Sequence, residues 1–198
     1  MPVLRLAHLG SAGSFSEEAA RLHAERASRE PELVGAPDPR AVLACLVEGG
    51  CERAVLPVAN SSGGLVWPTL AALGARDLEL LDEIVLAVRF ALFAARPGIT
   101  LANIERVASH PQAFRQCAGN LARLLPGRAT VAWSDTASAA RDLASGVLGP
   151  ETAVLASARA GARHGLARLA ADLQDAPDNR TFFAVLARPR RPSSSEMP

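Results

Sequence analysis

With 198 residues, 49% hydrophobic and 21% charged, the chain has the composition of a globular protein, long enough for one large domain or two small lobes, and not that of a disordered one. Its formal net charge is +1 with both signs interspersed, and no apolar run approaches membrane length, so neither a nucleic-acid surface nor a membrane span is expected. The cysteines Cys45, Cys51 and Cys117 are odd in number and lack metal-ligand spacing, and the opening MPVLRLAHLG is too short and too broken for a signal peptide. These features predict free thiols in a cytoplasmic protein.

Short apolar runs alternate with helical patterns, as in an α/β fold. Val3–Leu9 reads as a first strand. A helix over 16–28 follows, with Ser14 or Ser16 as its N-cap and Glu17 and Glu18 in its first turn. Asp38 caps a second helix running through Val47, and 54–58 is a second strand. Asn60–Gly64 makes a turn before a helix from Val66 to about Leu73, where Pro68 is acceptable in the first turn. The apolar run over 84–93 predicts one long strand, and 106–109 a brief one. His110-Pro111 opens a helix through Leu125. Strands over 131–133 and 153–156 alternate with helices over 136–144, capped by Ser134 or Asp135, and 157–164. A strand over 182–186 comes last. The break over 75–82 suggests two lobes, 1–80 and 81–189, enclosing a cleft, and the Arg-Pro-Ser-rich segment 190–198 reads as a disordered tail.

One chemical feature recurs. At 10–16, 60–64, 109–112 and 134–136 a strand ends in small polar residues just before a helix. Each such start offers unpaired N–H groups, a positive dipole end and a hydroxyl or amide. One alone is ordinary capping. Four of them, with Asn179, Arg180 and Thr181 as a fifth polar edge, predict a pocket for an anionic small molecule held without lysine, which the chain lacks. The other candidates are weaker. GSAGS at 10–14 lacks the lysine of a phosphate loop, no GxSxG elbow is present, and His8, His23 and His164 read as packed or exposed side chains.

Five segments in order resemble the motifs of the prephenate dehydratase family: LGSAGSFSEEAA (9–20), LPVANSSGGLV (56–66), VASHPQAFRQC (107–117), the alanine-rich stretch over 153–175, and NRTFF (179–183). The resemblance implies a two-lobed, periplasmic-binding-protein-like (type II) α/β fold with prephenate in the cleft between the lobes. It implies a lyase that removes the ring carboxylate as carbon dioxide and the ring hydroxyl as water, giving phenylpyruvate for phenylalanine biosynthesis, with no metal ion and no cofactor expected because aromatisation drives the reaction. Thr181 matches the family's proton donor. Ser16, Asn60, Ser61, Ser109, His110 and Thr136 match motif positions that line the pocket, with Ser14 and Asn179 beside them. Assembly into a homodimer, and the absence of feedback inhibition through a phenylalanine-sensing domain, are expected on the same ground.

Three positions depart from the family pattern. Ala59 stands where the family has Glu, Phe90 where it has a second His, and Phe182 where it has Arg. If those positions face the cleft, a carboxylate clamp is missing, and Arg180 or Arg89 is the expected substitute. The departures leave two further readings beside the dehydratase: a non-aromatising prephenate decarboxylase of secondary metabolism, and a non-catalytic protein that binds a small carboxylate.

Overall fold

The computed structural model describes residues 2–74 and 76–189. In chain order the elements are β1 (Val3–Leu9), α1 (Phe15–Arg26), β2 (Glu30–Ala36), α2 (Pro39–Val47), β3 (Arg53–Asn60), β4 (Gly64–Leu65), α3 (Trp67–Leu73), β5 (Glu79–Ala87) and β6 (Ala91–Ala94). They continue with β7 (Arg106–Ser109), α4 (Pro111–Gln116), α5 (Ala118–Leu124), β8 (Ala129–Ala132), α6 (Thr136–Ala144), β9 (Thr152–Ala156), α7 (Ala158–Arg163), β10 (Ala167–Ala170) and β11 (Arg180–Ala187). The caps follow the sequence: the side chains of Ser14, Asp38 and Asp135 accept from backbone N–H groups in the first turns of α1, α2 and α6.

Two sheets form, one per lobe. The first runs β2-β1-β3-β11-β5, with β4 added to β3, and the second runs β10-β6-β9-β7-β8. Strand β1 is parallel to β2 and β3, whereas β11 is antiparallel to both β3 and β5. Alternation along the strands of the first sheet fills two apolar layers. Leu4, Leu6, Ile84, Phe183 and Val185 pack under α1, while Ala7, Leu56, Ala184 and Leu186 pack with Val42, Leu43 and Leu46 of α2. Each leucine fully buried in this way contributes about 1.5–3 kcal/mol.

The sheets do not divide the chain at residue 80. β5 and the last strand, β11, both belong to the first sheet, so the first lobe takes its strands from both ends of the chain. The apolar run over 84–93 is likewise two strands in different sheets, broken where the chain crosses between lobes. There Val88 N–H donates to Asn179 O (2.8 Å), Leu173 N–H donates to Phe90 O (2.9 Å), and Phe90 N–H donates to Gln174 Oε1 (3.0 Å). The two crossovers are thus bonded side by side. A continuous hydrophobic run carries no mark of which sheet it feeds.

Smaller departures have local causes. The helix from Pro111 breaks at Cys117 (φ −124°, ψ 11°), giving α4 and α5. Asn60–Gly64 turns into the short strand β4 and not into a helix, and α3 starts at Trp67 without a side-chain cap. β2 and β10, which the sequence pattern does not reveal, are edge strands without a fully buried residue, and β2 carries a proline. The tail over 190–198 lies outside the described residues. No helix among the described residues is long and apolar enough to cross a membrane.

Candidate active site

The ends of the strands and the starts of the helices meet at a cleft of about 1080 Å³. The first lobe lines it with the β1–α1 loop, the start of α2, the β3–β4 turn and the inward side chains of β11, and the second lobe lines it with α4 and α6. The β1–α1 loop also touches the second lobe directly. Gly13, at φ +94°, approaches α7 so closely that a Cβ would meet Ala160 Cα at 3.2 Å, a position and backbone angle suited to glycine. Ser157 Oγ donates to Gly13 O (3.1 Å), and Ser11 Oγ donates to Asp135 Oδ2 (2.9 Å). Below the loop, buried Glu17 accepts from Gly13 N–H and from Arg21 (Nη2, 2.7 Å). Burial raises its carboxyl pKa, but the Gly13 hydrogen bond and Arg21 together hold it below the usual value.

Thr181 sits at the mouth of β11, 9% exposed, and lines the cleft. Asn60 organises its surroundings. Asn60 Nδ2 lies within donating distance of Thr181 Oγ1 (2.9 Å), Asn179 Oδ1 (2.9 Å) and Arg180 O (3.1 Å). Asn60 Oδ1 accepts from Ser62 N–H (2.9 Å), Gly63 N–H (2.8 Å) and Gln116 Nε2 (3.1 Å). Asn179 Nδ2 closes the ring on Gln116 Oε1 at 3.1 Å. Three amides, from β3, the second crossover and α4, therefore join the two lobes beside the threonine. Because Thr181 Oγ1 accepts from Asn60, its own hydrogen is left to point elsewhere, and the cleft is the space it lines.

His110 is the N-cap of α4, and its Nδ1 accepts from Gln112 N–H at 3.1 Å. That bond requires an unprotonated Nδ1, so in the neutral ring Nε2 carries the hydrogen. Burial, then the Arg115 charge, lowers the pKa of His110 and favours the neutral form, against the opposing pull of Asp135. Ser14, Ser16 and Thr136 also line the cleft. Its apolar part includes Phe15, Phe90 and Phe183, with Phe15 and Phe90 edge to face at 5.6 Å between centroids.

The remaining expected residues lie elsewhere. Ser109 is fully buried and donates to Leu155 O (2.6 Å), tying β7 to β9. Ser61 binds the start of β11, accepting from Arg180 N–H (2.8 Å) and donating to Asp178 O (3.2 Å). Asn179 is buried in the amide ring and does not line the cleft. Arg180 is exposed away from it, and Arg89 pairs with Asp172 (2.8 Å) on the surface. The turn at 60–64 is not a free donor site either, since Asn60 takes the N–H groups of Ser62 and Gly63.

Of the three departures, only Phe90 faces the cleft. Phe182 is 42% exposed on the opposite face of β11 from Thr181 and Phe183. Its partners in register are Ala59 on one side and Val85 on the other, and Ala59 in turn pairs with Leu65. Ala59 and Phe182 are thus direct cross-strand neighbours on the outer face, so the two departures lie side by side. The cleft also uses Gln112, Gln116, Arg115 and Arg141, which the sequence reading passed over. The available signal was the spacing of Gln112 and Gln116, four apart on one helix face.

A model of the prephenate dehydratase family matches residues 6–191. The chain belongs to the prephenate dehydratase family. It is 37% identical over 185 residues to an arogenate dehydratase/prephenate dehydratase from Arabidopsis thaliana, covering 93% of this chain and 46% of that one. It is 36% identical over 199 residues to a prephenate dehydratase from Mycolicibacterium vanbaalenii, covering 94% of this chain and 62% of that one. Among solved structures, prephenate dehydratase from Arthrobacter aurescens in complex with L-Phe superposes with a TM-score of 0.83 at 29% identity, over 95% of this chain and 61% of that chain. The chain thus spans roughly half to three-fifths of the length of these relatives. The ligand-binding component of an ABC-type import system from Staphylococcus aureus shares the fold alone, with a TM-score of 0.51 at 13% identity over 94% of this chain and 66% of that chain. The two-lobed, periplasmic-binding-protein-like family fold is the one observed here.

Proposed function

We propose that the chain is a prephenate-utilising dehydratase, converting prephenate to phenylpyruvate, carbon dioxide and water, with Thr181 as the proton-donating group. The observation that carries this reading is the hydrogen bond from Asn60 to Thr181 Oγ1 at 2.9 Å, which leaves the threonine's hydrogen free for a leaving hydroxyl in the cleft. In the reaction the bond between the ring and its carboxylate breaks. The electron pair moves through the diene to expel the hydroxyl at the opposite ring carbon, and that hydroxyl departs as water after gaining a proton. Aromatisation supplies the driving force. The protein's task is to hold the substrate, donate at the departing oxygen and keep the leaving carboxylate poorly solvated.

The arrangement suits each part. Thr181 and neutral His110 present O–H and N–H donors on facing lobes. Ser16 and Thr136 add hydroxyls at the starts of α1 and α6, whereas Ser14 Oγ is already committed, donating to Leu9 O (3.2 Å) and capping α1. Phe15, Phe90 and Phe183 supply the apolar surface against which a carboxylate is destabilised and carbon dioxide is not. Phe90, in place of a histidine, deepens that apolar surface. We place the protein in the cytoplasm, a location that fits its three free thiols. Incubation with prephenate and identification of the products tests the reading: phenylpyruvate is expected. A hydroxylated dihydro product would mark a non-aromatising decarboxylase, and binding without turnover a carboxylate-binding protein; either would overturn it.

A further inference from the structure

Prephenate carries two carboxylates, and a chain without lysine must meet that charge with arginine, histidine or backbone donors. Two arginines line the cleft, Arg115 of α4 and Arg141 of α6. They are not equivalent. Arg141 Nε is held by Asp142 Oδ1 at 2.8 Å, so its charge is already compensated. Arg115 forms no ion pair with a carboxylate among the described residues, and its guanidinium donates to Gln112 Oε1. It stands where the cleft opens into a smaller polar recess of about 340 Å³, lined also by Ser62, Gly63, Gln112, Gln116 and Asp175. Arg89 and Arg180, the alternatives raised by the sequence, lie outside the cleft lining.

We infer that Arg115 binds the carboxylate that the substrate keeps, the one on its side chain, and not the ring carboxylate that departs. This rests on the dehydratase reading above. The assignment between the two carboxylates follows from the chemistry. A guanidinium on the departing carboxylate would stabilise the very charge that decarboxylation must discharge, and so would raise the barrier. On the retained carboxylate it binds substrate and transition state equally, which lowers KM without slowing turnover. The apolar side of the cleft, with Phe15, Phe90 and Phe183, is left for the departing group. The same side-chain carboxylate is present in arogenate, so the assignment holds for either substrate.

The test is steady-state kinetics of the unaltered chain, Arg115→Ala and Arg115→Lys with prephenate. Arg115 is solvent-exposed on a helix surface, and a thermal melt verifies that the variants fold. For Arg115→Ala the expected result is a KM raised about 10- to 100-fold, as for loss of a charge-assisted hydrogen bond, with kcat within about threefold. Arg115→Lys should recover part of the loss, because it keeps the charge but not the planar fork. Raising ionic strength should weaken substrate affinity more in the parent than in Arg115→Ala. An unchanged KM, or a fall in kcat with KM unmoved, would overturn the inference while leaving the dehydratase reading intact. Failure of the unaltered chain to turn over prephenate or arogenate would overturn that reading, and the inference with it.

Discussion

The two faces of the first sheet carry different chemistry at the cleft end. Toward the cleft, Asn60, Thr181 and Phe183 keep the family pattern, and the amide ring of Asn60, Asn179 and Gln116 fixes the threonine. On the outer face, one row across four strands reads Leu65, Ala59, Phe182, Val85, with three of the four about half exposed. Two departures from the family's polar pattern lie together in that row. In a strand, neighbouring side chains point to opposite faces, so Phe182 can change without touching what Thr181 does. The comparison teaches that a motif read as a string of letters joins two independent surfaces.

The largest effect expected on the inner face is that of Thr181→Val. It removes the hydroxyl while keeping the shape, so kcat should fall by about 10²- to 10⁴-fold, the usual range for losing a positioned acid, while KM changes little. Pre-steady-state or steady-state assays of phenylpyruvate formation would measure it. Asn60→Ala comes next. It strips partners from buried Asn179 and from Gln116, and should cost about 1–3 kcal/mol in chemical denaturation, with kcat lowered because the Thr181 hydroxyl loses its orientation. Loss of activity without loss of stability would show that the ring is not structural.

A pH titration of stability sharpens the same point for the buried groups of the inner layers. Burial lowers the pKa of His8 and of His23 below the ordinary histidine value. The unfolded chain therefore binds these protons more readily than the folded one. The associated stability is fully present above about pH 6.5, the ordinary value, and is lost as pH falls below it through the folded-state pKa values. Glu17, also lowered, adds a loss of the same sign further into acid. Tm should be level from pH 8 to 7 and then decline, by about 2–4 °C for each kcal/mol lost. A Tm that rises on mild acidification would contradict the burial of these histidines.

The smallest effect is expected on the outer face. Ala59→Glu with Phe182→Arg installs an opposite-charge pair across β3 and β11, worth less than about 1 kcal/mol at an exposed position, and kcat/KM should stay within about twofold. A large change in turnover would mean that the outer face reaches the chemistry and would break the comparison.

How much was legible in the sequence follows from the same geometry. The helix starts at Ser14, Asp38 and Asp135 were readable because a cap is a local interaction within a few residues. Asn60, His110 and Thr181 stood out as polar residues at strand ends and helix starts, and the proton-donor role of Thr181 came from the family resemblance alone. What failed was long-range. Nothing in the run over 84–93 says that it leaves one sheet for another, and nothing at Ser109 says that its hydroxyl is spent on Leu155 O. The side assigned to Phe182 needed only strand alternation from Thr181. Its pairing with Ala59 needed the register of β11 on β3, which includes a bulge between Phe182 and Phe183.

The central claim is that the family's chemistry resides in Thr181, held by Asn60. The most direct measurement follows carbon dioxide release and phenylpyruvate formation together, from prephenate, in the unaltered chain and in Thr181→Val. The account predicts both products in step from the former and a parallel loss of both in the latter. Phenylpyruvate formed by Thr181→Val at the parent rate would contradict it.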